Sequence, residues 1–522
     1  MKNSKVGIIG YGSYIPLERM KTELIARKRE SRRKDLDDFL QKLSKGLKLK
    51  DKSIPGFTED TTTLSTEAAE NAIGMAQVDP RKIGSVVVGT ESKPYAVGLS
   101  ARHVASFVGV GTNVFVADVE GACNAGMQSV NFVKAQIEAN MIEYGLAIGA
   151  DISQAPKGDA LEYSCGAGAS AFLLGKENLV ATIIDMAPCS SLYLDFWRRD
   201  EELVPNHFGR STVDCYKSHV VGAMEELLKK HPDIKIKDFD YITFHQPSGY
   251  MPLKVCKLLA ESKIEIKHNP SFTDRLRLTY DDIEKKVKPW LKVIDTGNTY
   301  AASTLIAIAS ILDQAKPGEN VLAVSYGSGA ATMATWLHVE DEIKNERIKT
   351  VPSVQDYLDR KREIDFQTYT KYYSERMKRE KKRLIFPRII GELIPQSKEY
   401  ISVHMCTGCN RIYLPVREKC LQHDCPSSLK EIKFPKLAKL KDFKKLPITK
   451  RWVHNYELIE TGKVLLVDCQ LKDLKKGMMM EPVIRRIDYE GTGGLIIYSP
   501  CYRPLFRKKL LKTQLDIKLP KA

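Results

Sequence analysis

From its start to about residue 340 the chain alternates short apolar, β-branched runs with longer stretches of helical period, and this alternation leaves few architectures open. VGIIGYG, SVVVGT (85–90), VFVADV (114–119), YGLAIGAD (144–151), YITFHQ (241–246) and NVLAVSYGSG (320–329) are strand-length runs without polar alternation, which predicts strands buried on both faces. Between them Leu64, Ala68, Ala72, Ile73 and Ala76 share one helical face, and so do Met127, Val130, Val133, Lys134 and Ile137. Strands of this kind need helices on each side, so the expected fold class is α/β, with buried strands sandwiched between helical layers. Nothing recurs at a fixed period of 20–50 residues, which argues against a solenoid or propeller.

The charge is divided as sharply as the pattern. Residues 1–340 hold 41 basic and 42 acidic residues, net −1, whereas residues 341–522 hold 40 and 23, net +17. A nearly neutral body is therefore followed by a basic region, and 522 residues leave room for about three domains. A hydrophobic fraction of 43% suffices for a packed core and excludes global disorder. No run approaches the roughly 18 apolar residues of a membrane span, and MKNSKVGIIGYGSYIP lacks the apolar stretch of a signal peptide. The expected location is cytoplasmic. Eleven cysteines is an odd number, and seven of them stand singly, which fits reduced thiols.

Several residues stand where α/β folds keep reactive side chains, just beyond a strand's C-terminal end. Cys123 follows VFVADV inside VEGACNAGMQSV, among the small residues Gly121, Ala122 and Ala125. At such a strand-to-helix junction the following helix's N-terminus is expected to stabilise thiolate; a buried structural cysteine is the plainer alternative. Glu91 follows SVVVGT, His245 ends YITFH ahead of a Pro247 and Gly249 loop, and Asn298 and Ser328 lie in the glycine-bearing DTGNTYAAS and SYGSGA. A thiol, a carboxyl and an imidazole at separate strand ends form the set that covalent acyl transfer requires. GIIGYGSY has the wrong glycine order for a dinucleotide fold and no acidic partner at the right distance, so no redox cofactor is expected.

GYGSYIP, GTESKPYAV, EGACNAG, GDALEYS, DFWRR, FHQPSG, GNTYAAS and SYGSGA follow the order and approximate spacing of the archaeal-type 3-hydroxy-3-methylglutaryl-CoA synthases of the thiolase superfamily, and over residues 1–384 the chain resembles that family. The resemblance implies a layered α-β-α-β-α thiolase fold, acetyl-CoA and acetoacetyl-CoA as substrates, and a place in the mevalonate route to isoprenoids. It implies that Cys123 carries the acetyl group, Glu91 removes a methyl proton, and His245 holds and protonates the acetoacetyl carbonyl before water releases the product. It also implies that Ser164, Thr212, Asn298 and Ser328 contact the substrate and that Arg210 and Lys254 contact CoA. A homodimer is usual for the superfamily. Where the family carries a lysine four residues before Lys254, this chain has Tyr250, which removes one charge from the expected CoA site. Residues 262–292 are expanded relative to the family, and their charged stretch DRLRLTYDDIEKKVKP reads as a solvated surface helix.

In the basic third, Cys406 and Cys409 form one tight pair and Cys420 and Cys425 another, ten residues apart. Four thiolates from two turns suit a structural zinc ion, with His423 a candidate substitute ligand across the longer second gap. KVLLVDCQL (463–471), VIRRIDY (483–489) and GLIIYSPCY (494–502) predict a small barrel. The expected division is a synthase-like domain at 1–384, a zinc ribbon with a helical lead-in at 385–440, and an OB-fold domain at 441–522. That tail resembles the zinc-ribbon plus OB-fold proteins that accompany thiolase-superfamily enzymes, which implies acetoacetyl-CoA thiolase as a partner. Other classes remain open: a ketoacyl-synthase type of condensing enzyme, a non-catalytic scaffold, or a nucleic-acid binder. Few aromatics in the barrel strands count against nucleic acid, and CoA is itself a polyanion that suits basic residues.

Overall fold

The computed structural model describes residues 5–152, 155–193, 195–199, 202–261 and 273–376, together with 402–409, 412–413, 420, 428–433, 438–445, 452–458, 462–467, 474–490 and 495–505. Contacts divide the chain into two units, one built from 1–56, 60–104 and 113–377, the other from 57–59, 105–112 and 378–522.

In the first unit nine strands line up: β1 (Gly7–Tyr14), β2 (Ile83–Gly89), β3 (Phe115–Val119), β4 (Tyr144–Asp151), β5 (Gly168–Gly175), β6 (Ala181–Tyr193), β7 (Tyr241–Phe244), β8 (Asn320–Gly327) and β9 (Gly329–Val339). Their order is β7-β8-β9-β6-β1-β5-β4-β2-β3. Only Gly7↔Thr182 and Ile8↔Ala181 join β1 to β6, so the row is two half-sheets meeting at a short seam. Helix α1 (Thr61–Ala76) packs on β1, β5 and β4; α2 (Ala125–Glu138) packs on β4 and β2; and α3 (Gly209–Lys230) packs on β6 and β9. Helix α4 (Tyr250–Ala260) lies against α3, and α5 (Ser303–Leu312) touches β5 and β1 of one half-sheet and β7 and β8 of the other. All ten residues of α5 are buried, as a helix enclosed between two sheets must be. The layers therefore run α1, half-sheet, α2 with α5, half-sheet, α3 with α4, which is the thiolase-like α/β arrangement expected.

Local chemistry fixes these elements. Asp60 caps α1 by accepting the Thr63 N–H at 3.0 Å while Thr63 Oγ1 accepts the Asp60 N–H at 2.8 Å. Helix α2 approaches β2 so closely that a Cβ on Gly89 would lie 2.2 Å from the Ala125 carbonyl. Two expectations need correction. Strand β3 is not buried on both faces: none of its residues is fully buried and Phe115 is 45% exposed, and among the described residues it is the edge strand of the sheet. The charged stretch after residue 272 is not a single solvated helix: Leu276, Leu278, Ile283 and Val287 join the core beneath α3 and α4, and short turns keep its charges outward. Residues 262–272 lie outside the described residues.

In the second unit Ser402–Cys406 pairs antiparallel with Ile412–Tyr413 and Leu429–Lys433. A five-stranded antiparallel sheet has the order Gly462–Val467, Trp452–Leu458, Ala438–Lys445, Met479–Glu490, Leu495–Pro504. Among the described residues no helix is long and apolar enough to cross a membrane.

Candidate active site

Parallel strands deliver their C-terminal ends to one side of each half-sheet. β3, β2 and β4 run parallel and release Cys123, Glu91 and Asp151, while β7 and β8 run parallel and release His245 and Ser328. The two sets are tied together at these ends. A Cβ on Gly327 would lie 2.2 Å from the Gly121 carbonyl, so glycine permits the close approach, and Ser325 Oγ donates to Asn124 Oδ1.

Cys123 sits in a short 3₁₀ turn, Ala122–Asn124, that leads into α2. Ala122 before it and Tyr300 opposite both hold φ 48°, a left-handed conformation that costs residues with a Cβ about 1–2 kcal/mol. The Cys123 thiol donates to Glu91 Oε1 at 3.5 Å, and the Asn298 side chain hydrogen-bonds the sulfur. Asn298 is itself set by its Oδ1, which accepts the Tyr300 N–H at 2.9 Å, and by its N–H, which donates to the Ser164 carbonyl at 2.6 Å. Cys123, Ala155, Cys165 and Tyr300 pack as one apolar cluster with Leu161 and Phe196 against it.

Burial pushes the Cys123 thiol well above its ordinary value, and the nearby Glu91 and Asp151 push it further. This overturns the expectation that the helix terminus favours thiolate: the turn holding the sulfur lies ahead of α2, and desolvation beside two carboxyls outweighs a partial dipole charge. Burial, then Asp151, likewise raises the Glu91 carboxyl well above the usual carboxylate range. The fixed point beneath it is Asp151, which is fully buried. Its Oδ1 accepts from Thr90 Oγ1 (2.8 Å), the Glu91 N–H (3.0 Å) and Ser92 Oγ (2.6 Å), and its Oδ2 accepts the Ala301 N–H (2.9 Å). Burial raises this carboxyl to about 6 against those bonds.

His245 is 1% exposed, and its Nδ1 has no hydrogen-bond partner among the described residues. Burial lowers its pKa to about 3, so near neutral pH it is a neutral imidazole able to donate a hydrogen bond. Its ring lies over Tyr326, with centroids 6.5 Å apart at 24°, and the Tyr216 hydroxyl donates to its carbonyl at 2.6 Å. Ser328 hydrogen-bonds the Tyr326 hydroxyl.

The structure thus joins Cys123, Glu91 and Asn298 directly, brings Ser164 to Asn298, and brings Ser328 to His245 through Tyr326. The other expected residues make their contacts elsewhere. Thr212 Oγ1, in the first turn of α3, donates to the Phe208 carbonyl at 3.1 Å. Lys254 on α4 sets its ammonium 4.7 Å from the Tyr250 ring centre. Arg210 is the second residue of α3, and its side chain lies outside the described residues. Sequence reasoning missed Asp151, Tyr326 and Arg198. Asp151 could have been found, since an acid ending a wholly apolar strand needs a reason to be there.

A buried thiol with a carboxyl at 3.5 Å, set at strand ends of a five-layered α/β body, is the arrangement of the thiolase-type class of acyl-transfer enzymes. Residues 55–188 match the family model of the thiolase N-terminal domain, and residues 266–392 match that of the hydroxymethylglutaryl-coenzyme A synthase C-terminal region. The hydroxymethylglutaryl-CoA synthase of Methanobrevibacter smithii is 40% identical over 368 residues, 70% of this chain and 98% of that protein. The synthase of Thermoplasma volcanium is 39% identical over 367 residues, 70% of this chain and 96% of its own. The chain belongs to the hydroxymethylglutaryl-CoA synthase family. A structure of MvaS in complex with 3-hydroxy-3-methylglutaryl coenzyme A shares the fold at TM-score 0.62 and 22% identity, covering 73% of this chain and 94% of that one. A crystal structure of an HMG-CoA synthase complexed with CoA does so at TM-score 0.60 and 24% identity, covering 70% and 90%.

Proposed function

We propose that this chain condenses acetyl-CoA with acetoacetyl-CoA and water to give 3-hydroxy-3-methylglutaryl-CoA and CoA, as a cytoplasmic enzyme of the mevalonate route. The observation that carries the mechanism is the Cys123–Glu91 pair at 3.5 Å with the Asn298 amide on the sulfur. Cys123 attacks the acetyl-CoA thioester, and its proton leaves on the CoA sulfur. Glu91 then removes a methyl proton from the acetyl thioester, a task suited to a carboxylate whose basicity burial has raised. The resulting enolate carbon bonds to the ketone carbon of acetoacetyl-CoA, and His245 N–H holds the oxygen that becomes the hydroxyl. Because His245 is neutral, it acts as a hydrogen-bond donor that gives up its proton only as alkoxide charge develops. Water finally adds to the Cys123 thioester, the C–S bond breaks, and the acid is released as a carboxylate. Ser164, Asn298, Ser328 and Thr212 line the acyl end in this reading, and Arg210 and Lys254 the CoA end. The direct test is transfer of an acetyl group from Cys123 into product.

The pH dependence follows from the pair. Glu91, which faces Cys123, Asp151 and Arg198, must be ionised to act as base, and activity is lost as pH falls through its raised value. The acid limb of the condensation rate is therefore expected above the ordinary glutamate value of about 4.3, with no contribution from His245 near neutrality. A rate profile that stays flat down to about pH 4.5 would contradict this.

Homodimerisation is part of this reading. Open edge strand β3 presents Phe115, whose ring stacks on Phe132 of α2 at 5.7 Å, and Phe132 and Met141 are also exposed; an uncovered apolar edge fits a second copy. The second unit serves as a zinc-ribbon and OB-fold attachment that engages acetoacetyl-CoA thiolase. The zinc part of this reading is supported by the sulfur geometry: the thiols of Cys406, Cys409 and Cys420 all lie within 4.8 Å of one another, and Cys409 and Cys420 are 3.6 Å apart. Tetrahedral zinc with Zn–S bonds of about 2.3 Å puts sulfurs about 3.8 Å apart, so these residues fit the ion. Cys425 and His423 lie outside the described residues. The purified chain is expected to carry about one zinc ion. Cys406→Ser should lose that zinc in a metal assay while Cys123 acetylation persists, and full zinc retention would refute the site.

A further inference from the structure

Arg198 follows the short strand Phe196–Trp197, which pairs with Asn206–His207. Its Nη2 donates to the Glu91 carbonyl at 3.2 Å and its Nη1 to the Glu202 carbonyl at 3.3 Å. Both partners are neutral backbone oxygens. Among the described residues no carboxylate pairs with this guanidinium, because the Glu202 carboxylate is taken by the Arg199 N–H at 3.1 Å and by Asn206 Nδ2 at 2.8 Å. The Arg198 charge is nevertheless felt at the Glu91 carboxyl, where it opposes the effect of burial. A solvent-facing cation is thus fixed by two backbone carbonyls beside the Cys123–Glu91 pair, with no carboxylate on it among the described residues.

We propose that Arg198 receives the carboxylate that forms when water releases the condensed acyl group from Cys123. This rests on the condensing reading above. Before that step the acyl groups resting on Cys123, first acetyl and then the condensed group, are neutral thioesters, and the enolate between them is a transient whose charge is gone once the new carbon–carbon bond forms. Hydrolysis changes this: water adds to the thioester carbonyl, the C–S bond breaks, the sulfur takes one proton and the acid loses another to solvent. A new anion then appears beside Glu91 and Asp151, two acids that repel it. A guanidinium offers a planar fork of N–H donors matched to a carboxylate, and Arg198 is bonded to the backbone of Glu91, whose carboxyl contacts the sulfur. A residue needed to bind the phosphates of CoA would serve every step; Arg198 serves the last.

Rapid-quench kinetics with mass analysis of Cys123 separate the steps in the full chain. In Arg198→Gln the acetyl-enzyme should form at a rate within about twofold of the parent. After acetoacetyl-CoA is added, the condensed thioester should accumulate on Cys123 while turnover falls about 10- to 100-fold. Arg198→Lys, which keeps charge without the fork, should recover part of that loss. Equal slowing of acetylation and release would mean that Arg198 only props the Glu91 loop, a raised KM for acetyl-CoA with unchanged kcat would mean CoA binding, and either result overturns the proposal. Failure of the parent enzyme to acetylate Cys123 would instead sink the condensing reading itself.

Discussion

Cys123→Ala is expected to abolish acetyl transfer, with turnover reduced by at least about 10⁴-fold and no acetyl adduct on the protein after incubation with acetyl-CoA. The size of the effect follows from covalent catalysis: without the sulfur there is no thioester to acidify the methyl group, so acylation and condensation fail together. The fold should be little affected. Cys123 is a small side chain packed with Ala155, Cys165 and Tyr300, and its removal costs roughly 1 kcal/mol of packing. Thermal unfolding near the parent temperature, with the acetyl adduct lost, is the expected pair of results. An alanine variant that still turned over at a tenth of the parent rate would remove Cys123 from the chemistry.

Glu91→Gln separates the two halves of the reaction. The amide keeps the shape of the loop, since Asp151 anchors it through the Thr90 hydroxyl, the Glu91 N–H and the Ser92 hydroxyl rather than through the Glu91 side chain. Acetylation of Cys123 should go to completion, whereas carbon–carbon bond formation should fall about 10²- to 10⁴-fold, the usual cost of losing a general base. The variant is expected to accumulate acetyl-enzyme in the presence of both substrates. Exchange of the acetyl methyl hydrogens with solvent gives a second readout, and exchange at the parent rate would exclude Glu91 as the base.

Much of this site could be read before any coordinates, for a physical reason. Reactive side chains in α/β folds gather at strand C-termini, and runs such as SVVVGT and YITFHQ mark where those termini fall, so the placement of Glu91, Cys123 and His245 at strand ends was legible from the pattern. What was not legible depends on neighbours far along the chain. The electrostatic sign at Cys123 could not be had from the helix that follows it, because burial, then Glu91 and Asp151, 32 and 28 positions away, decide it. The same limit hid the edge position of β3: an apolar run shows that a strand wants cover, while only the strand order shows that one side goes without it. Arg198 was visible within DFWRR, but its meaning comes from its bond to the Glu91 carbonyl, 107 residues away. In the tail, the spacing of Cys406, Cys409, Cys420 and Cys425 predicted convergence, and the sulfurs of the three that lie within the described residues, Cys406, Cys409 and Cys420, do converge.

The central claim is that carbon from the acetyl group on Cys123 becomes part of 3-hydroxy-3-methylglutaryl-CoA. The measurement that tests it most directly is a single turnover: acetylate the full chain with labelled acetyl-CoA, remove free CoA compounds, confirm the label on Cys123, and add unlabelled acetoacetyl-CoA. The label should leave Cys123 and appear in 3-hydroxy-3-methylglutaryl-CoA in equal amount. Label that stays on the cysteine, or departs only as free acetate, would contradict the account.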